Sequence, residues 1–387
     1  MPPLRILVVL TYYLPHRTGL TLHVQRVAEG LAQRGHSVTV LTTRFDKRLP
    51  RTENVRGVRV VRLWAPIRIS RGMIMPGYPW ALSRLLRHHD VVSLHTPLLE
   101  SSLTTFLADL RRKPVVITHH GDLILPAGLL NRFIRWFVFQ LYKPAARSAA
   151  RLVAYSHDYA HHSYYLAPFL DKTSVIYPPI CMPEPDPDRV VQLRRQWNVG
   201  DGHVIGYAGR FVEEKRPDLL IRALDTVNQS IPNTKLVFAG QHQLKYENFY
   251  ERCLPLINRY RDQILFLGLL TSSQEMANFY AACDVLALPS DTECFGLVQI
   301  EAMFCGTPVV ITDTPGAREG VRVTGMGRVV PTEKPQALGR ALVDVMRNPR
   351  EFVRSRSQVE QAYSFTETID RYEKVFRNVV ENRSLEK

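Results

Sequence analysis

Two glutamates eight residues apart, Glu293 and Glu301, bracket the turn Phe295-Gly296-Leu297 within PSDTECFGLVQIEAMFCGTPVV, residues 289–310. A carboxylate can accept two hydrogen bonds from neighbouring hydroxyls, so the pair could grip sugar hydroxyls around a bound diphosphate. Gly296 lets an anion approach the backbone, and the amides at a helix start favour such an anion. A second segment, GYAGRFVEEKRPDLL at residues 206–220, places Gly209, Arg210 and Lys215 after a strand-like run. Cations there could neutralise a diphosphate as it leaves. A third, THHGD at residues 118–122, ends another strand-like run and offers His120, or His119, to a bound sugar. The fourth, TYYLPHRTGLTLHVQRVAEGLAQRGH at residues 11–36, has the outline of a strand–loop–helix phosphate site around Gly19.

Each feature has a plainer explanation. A glutamate near a helix start is favoured by the helix dipole alone, and Arg210 and Lys215 could be surface charges. The pairs His88-His89 and His161-His162 show that paired histidines are common in this chain.

The elements that must carry these residues alternate along the chain. Strand-like runs fall at 5–10, 37–42, 58–63, 91–95, 115–119 and 152–155, with a helix over 22–34 stopped by Gly35. Tyr177–Asp188 (YPPICMPEPDPD) holds five prolines and reads as a linker. Beyond it the alternation resumes, with strands expected at 204–208, 235–239, 264–267, 285–288, 308–311 and 328–330. The chain, at 387 residues, has room for two domains. The reading is therefore α/β: two Rossmann-like, doubly wound domains facing each other across a cleft, 1–178 and 189–364, joined by the linker 179–188. A charged helix over 365–387 could pack back on the first domain.

Composition narrows the classes. Apolar residues are 45% and charged residues 22%, as in folded domains. The net charge of +14 is lopsided: the chain carries +15 through Ile180 and −1 after it. That field suits an anionic partner such as a lipid surface. Five cysteines without metal or disulfide spacing fit a reducing, cytoplasmic setting. No signal peptide and no membrane-spanning run is evident. No basic, aromatic-rich stretch matches a nucleic-acid module, so nucleic acid is not an expected partner. Asp186-Pro187-Asp188 mimics a metal-binding D-x-D pair, but lies in the proline-rich segment.

On these residues the chain resembles the family-4 glycosyltransferases of the GT-B fold, whose E-x7-E motif corresponds to Glu293 and Glu301. The resemblance implies that Glu301 holds the ribose hydroxyls of a nucleotide and Glu293 the donor sugar. It further implies that the amides near Phe295, Gly296 and Leu297 cradle the diphosphate, and that Arg210 and Lys215, in a G-R-x4-K stretch with Gly209, stabilise the leaving group. His120 lies at the reaction centre by the same likeness. Phe266-Leu267-Gly268 falls near the base, and Glu319 matches within Pro315–Glu319. The family has two glycines before its first helix, whereas this chain has Thr18 and Gly19; His23 matches a common position. The implied reaction is a retaining transfer from a UDP- or GDP-sugar, needing no cofactor and no catalytic metal. An epimerase or phosphorylase of the same fold, and a non-catalytic nucleotide-sugar binder, are the alternatives.

The acceptor side falls to the first domain. ILPAGLLNRFIRWFVFQLYK, residues 124–143, combines apolar and aromatic residues with Arg132, Arg135, Trp136 and Lys143. Interfacial helices have this composition. Residues 64–80 (WAPIRISRGMIMPGYPW) read as a loop of similar character. A lipid or lipid-linked glycan acceptor, reached by peripheral attachment to the cytoplasmic membrane face, is the expectation.

Overall fold

The computed structural model describes residues 2–69, 72–123, 128–244 and 247–385. The chain divides into two compact units, Met1–Pro179 with Phe365–Lys387, and Ile180–Ser364.

The first unit is built on an eight-stranded sheet. Its central strand, Arg5–Val9, runs parallel to Ser37–Arg44 on one side and to Val91–Thr96 on the other. Val115–His119, Arg151–Ala154 and Thr173–Val175 extend the sheet in parallel beyond Val91–Thr96. Val58–Trp64 pairs parallel with Ser37–Arg44, and Thr52–Val55 closes that edge as the lone antiparallel strand. Near-continuous apolar runs such as RILVV form these strands because parallel sheets are covered on both faces. The first helix, Gly19–Gln33, buries Val24, Val27, Ala28 and Leu31 against the sheet. The last helix, Phe365–Leu385, buries Ile369, Tyr372, Phe376 and Val379 in the same core.

The second unit has a six-stranded, wholly parallel sheet. Its central strand is Val204–Ala208, flanked by Lys235–Ala239 and then Ile264–Gly268 on one side, and by Val285–Leu288, Val309–Thr312 and Gly327–Val330 on the other. Numbered within the unit, the order is 3-2-1-4-5-6, that of dinucleotide-binding sheets. The strand order reverses between Val204–Ala208 and Val285–Leu288, so ligands are expected beyond the carboxyl ends of those two strands.

Several sequence expectations need correction. The proline-rich linker ends early: a helix runs from Pro187 to Gln196, where proline at the first position has no amide to lose. Asp186 caps it, accepting from the amides of Asp188 and Arg189 at 3.0 and 3.3 Å. The first helix begins at Gly19 rather than residue 22. Residues 64–80 are no loop, since Ile67–Ile69 pairs antiparallel with Gly72–Ile74 and a helix follows from Tyr78. Residues 70–71 and 124–127 of the two acceptor-side stretches lie outside the described residues.

Candidate active site

The motif residues of the second unit gather at its switch point. Leaving Val204–Ala208, the chain turns through Gly209 at φ 152°, whose amide bonds to the Ala239 carbonyl at 2.9 Å. A Cβ on the facing Gly240 would lie 2.0 Å from the Gly209 oxygen, so these two backbones touch. Tyr207 donates its hydroxyl to the Arg210 carbonyl at 2.8 Å and fixes the turn. A short 3-10 turn, Glu213–Lys215, then presents Lys215. Its Nζ lies 2.5 Å from Glu293 Oε1, which also accepts from the Ser290 hydroxyl at 3.0 Å. Both charges are largely buried, at 23% and 11% side-chain exposure, so they face each other with little screening. Arg210 is half-exposed, 3.4 Å from Glu214.

From the end of Val285–Leu288 the loop reaches Gly296, the left-handed residue (φ 72°) before the helix Leu297–Phe304. The N-cap residue, Gly296, has no side chain of its own with which to cap the helix. A side chain at Gly296 would meet Leu288 at 2.8 Å and Gln299 at 3.0 Å, so the position demands glycine twice over. Phe295 points inward; its ring is fully buried, edge-on to Tyr363, leaving only its backbone for a ligand. Leu297 opens the helix. Glu301, one turn further and 8% exposed, accepts from the Tyr280 hydroxyl at 3.1 Å. Burial, and then Glu301, push the Tyr280 phenol well above its ordinary value, so it remains a donor. Gln299 donates to the carbonyls of Phe295 and Ala317 at 2.5 and 2.8 Å, tying the glutamate loop to the loop preceding Glu319. A Cβ at Gly316 would collide with the Cys294 carbonyl at 2.5 Å, so these loops pack backbone to backbone. Gly268, at φ 72°, offers its carbonyl to the Gly240 amide at 2.7 Å.

The motif residues of the first unit also meet at strand ends. Thr18 caps the first helix with its own hydroxyl, and its φ of −144° is extended backbone that any residue adopts. The missing glycine therefore causes no strain, and Gly19 follows as an exposed first helical residue. His23, one turn on, is buried with Nε2 3.0 Å from the Tyr372 hydroxyl of the last helix. His119 is buried between Thr96 Oγ1 at 2.9 Å and Asp122 Oδ1 at 3.0 Å. His120 is half-buried, its ring nitrogens 2.9 Å from His95 Nδ1 and 2.5 Å from the Tyr155 hydroxyl.

Arg132, Arg135 and Trp136 lie exposed on the helix Leu129–Ser148, among the exposed Leu129, Phe133, Phe137 and Leu141. Lys143 is half-buried, with its ammonium 5.8 Å above the Phe139 ring. Trp64 and Trp80 are also exposed, at 64% and 82%. Among the described residues no helix is long and apolar enough to cross a membrane.

Sequence reasoning missed Tyr280, Ser290, Gln299, His95, Tyr155 and Tyr372. Only His95, a histidine inside the apolar run VVSLHT, stands out along the sequence. Tyr280 yields a direct prediction. Tyr280→Phe is expected to leave kcat within about twofold and raise the KM for a nucleotide-sugar donor about tenfold, the effect of one hydrogen bond to a charged group. Steady-state kinetics against donor concentration checks it.

Comparison with known proteins gives the family and the fold. Residues 18–179 match the family described as glycosyl transferase 4-like domain, and residues 192–364 match glycosyl transferases group 1. An uncharacterised glycosyltransferase of Methanocaldococcus jannaschii is 28% identical, with 83% of each chain covered. A D-inositol 3-phosphate glycosyltransferase of Kineococcus radiotolerans is 26% identical over 95% of this chain and 92% of its own. Among solved structures, Anabaena HepE in complex with UDP and glucose superposes with a TM-score of 0.78 at 19% identity, covering 97% of this chain and all of that one. Sucrose-phosphate synthase from Thermosynechococcus elongatus gives 0.76 at 21% identity, covering 98% and 100%. The fold is GT-B, and the chain belongs to the glycosyltransferases, a 4-like domain followed by a group 1 domain.

Proposed function

We propose that this glycosyltransferase moves a sugar, with retention, from a UDP- or GDP-sugar to a hydroxyl of a lipid or lipid-linked glycan at a membrane surface. The observation that carries the donor half is the pairing of Lys215 with Glu293, which lies on the loop that leads into the helix start at Gly296. It offers a cation, a carboxylate and backbone donors to a diphosphate sugar. Related structures contain UDP or UDP-glucose, and one relative, in Mycolicibacterium smegmatis, is a GDP-mannose-dependent mannosyltransferase.

In the proposed step the bond from the anomeric carbon to the diphosphate breaks while the acceptor oxygen bonds to that carbon on the same face. The acceptor proton passes to the departing diphosphate oxygen. Arg210, Lys215 and the amides around Gly296 stabilise the charge that grows there, and need no metal to do so. Glu293 holds the sugar, and Glu301, positioned by Tyr280, holds the ribose.

The acceptor half is supported by charge and exposure. The residues through Ile180 carry +15, and three of the four tryptophans, Trp64, Trp80 and Trp136, are exposed in the first unit. Aromatic residues beside arginines are suited to an anionic interface.

The test screens UDP- and GDP-sugars for release of nucleoside diphosphate, with and without vesicles bearing crude lipid extract. Release that needs lipid, disappears in Glu301→Ala and weakens in Arg132→Glu/Arg135→Glu is the expected result. Conversion of a nucleotide sugar without release would point to an epimerase.

A further inference from the structure

We propose that Ser93, His95, His120 and Tyr155 form a charge-neutral hydrogen-bond relay that fixes the His120 ring for sugar transfer, making His95 and Tyr155 positioning residues. The inference rests on the reading of His120 as a residue of the reaction centre.

The relay follows from the sheet. Val91–Thr96 and Val115–His119 run parallel with His95 beside Thr118 and Thr96 beside His119. The His120 amide bonds to the Thr96 carbonyl at 3.0 Å, carrying the ladder one residue further. That step stacks the two strand ends and brings His120 Nε2 to 2.9 Å from His95 Nδ1. His95 Nε2 lies 3.2 Å from the Ser93 hydroxyl, and His120 Nδ1 lies 2.5 Å from the Tyr155 hydroxyl, just past Arg151–Ala154.

Proton counting then limits the pair to at most one added charge. In a run of hydroxyl, imidazole, imidazole and hydroxyl, every contact has one donor and one acceptor when both rings are neutral. A further proton on either ring either sets two N–H groups against each other at 2.9 Å or forces a hydroxyl to turn. The surroundings act the same way. The His23 ring, from the first helix, is centred 5.1 Å from His120 and 6.2 Å from His95. Arg26, on that same helix, adds positive charge acting on His23. Tyr372 reaches in from the last helix to His23, and His119 adjoins along the chain. The carboxylate on this loop, Asp122, is engaged by His119, Ser163 and Tyr164. Burial pulls His95 down to about 3 and His120 well below the ordinary histidine value.

Neutrality matters for this chemistry. Positive charge grows on the sugar as its bond to the diphosphate breaks, and an imidazolium alongside would oppose it. A ring held neutral and immobile can bond to the sugar without that penalty.

The test uses the full-length protein labelled with 15N at its histidines. Ring spectra are followed from about pH 4.5 to 8 in wild type, His95→Ala, His95→Asn and Tyr155→Phe, with kcat and donor KM from release with UDP-glucose or GDP-mannose. In wild type the His120 ring is expected to stay neutral down to pH 5. In His95→Ala it gains water and loses a neighbouring imidazole, so it should titrate closer to the ordinary value of about 6.5. The acid limb of kcat should move up with it. His95→Ala and Tyr155→Phe should lower kcat about tenfold with donor KM within about twofold, and His95→Asn, which keeps a polar group facing Nε2, should recover most of that loss. A wild-type His120 that titrates near 6.5, or variant spectra and kcat indistinguishable from wild type, would overturn the relay. If His120→Ala retains full kcat while the spectra behave as described, the assignment of His120 fails and the relay does not. Tyr155→Phe keeps its shape, so the test survives should His95→Ala fail to fold.

Discussion

Lys215→Ala is expected to lower kcat by about a thousandfold while the melting temperature moves by only a few degrees. Two effects add. The ammonium is the cation nearest Glu293 in the site, and removing one preorganised group that stabilises a leaving charge costs on the order of 10²–10³ in rate. Its loss also deprives Glu293, at 11% side-chain exposure, of that ion pair, while the Ser290 hydroxyl still donates to it. Without that pair the carboxylate is held less firmly where it would meet the sugar hydroxyls. Stability changes little because Lys215 sits in a short turn and contributes nothing to the apolar core of its unit. Lys215→Arg should recover part of the rate, since charge returns without the same reach. A fall of less than tenfold in Lys215→Ala would remove Lys215 from the leaving-group role.

Ending the chain at Ser364 is expected to abolish folding of the first unit and leave the second intact. Ile369, Tyr372, Phe376 and Val379 of the last helix are all buried in the first unit's core. Truncating one large core side chain costs about 2–5 kcal/mol. Losing four together, on the order of 8–20 kcal/mol, is as large as the roughly 5–15 kcal/mol by which a whole domain is stable. Arg34 would also lose its partners Asp370 and Glu373. Circular dichroism and limited proteolysis of residues 1–364 should show one protected fragment, beginning near residue 180.

Much of this fold was legible because its strands are short apolar runs punctuated by helices, and that pattern has few alternatives. Val115–His119, Val204–Ala208, Lys235–Ala239 and Val285–Leu288 fall where the sequence places them. Thr52–Val55 escaped notice because TENV is polar and half-exposed, and because its hairpin turn uses Arg56 at φ 49° before Gly57. Arginine does not advertise that conformation. The glutamate loop was readable as a string, since its chemistry is local in sequence. The polar groups that brace it were not. Tyr280 is 21 residues from Glu301, and Tyr372 is 349 from His23. Such contacts exist only once the chain has folded, and a lone tyrosine carries no mark of them.

The last helix also fixes how the chain is threaded. The first unit is completed only by residues that follow the whole of the second, so the second unit is an insertion within the first. The Thr368 hydroxyl donates to the Tyr177 carbonyl at 3.1 Å, so the outgoing and returning segments lie side by side in the first unit. An insertion whose two ends are neighbours behaves as a cassette. Residues 180–364 of a relative with another donor could be spliced between these two points without disturbing the core that carries the histidine relay.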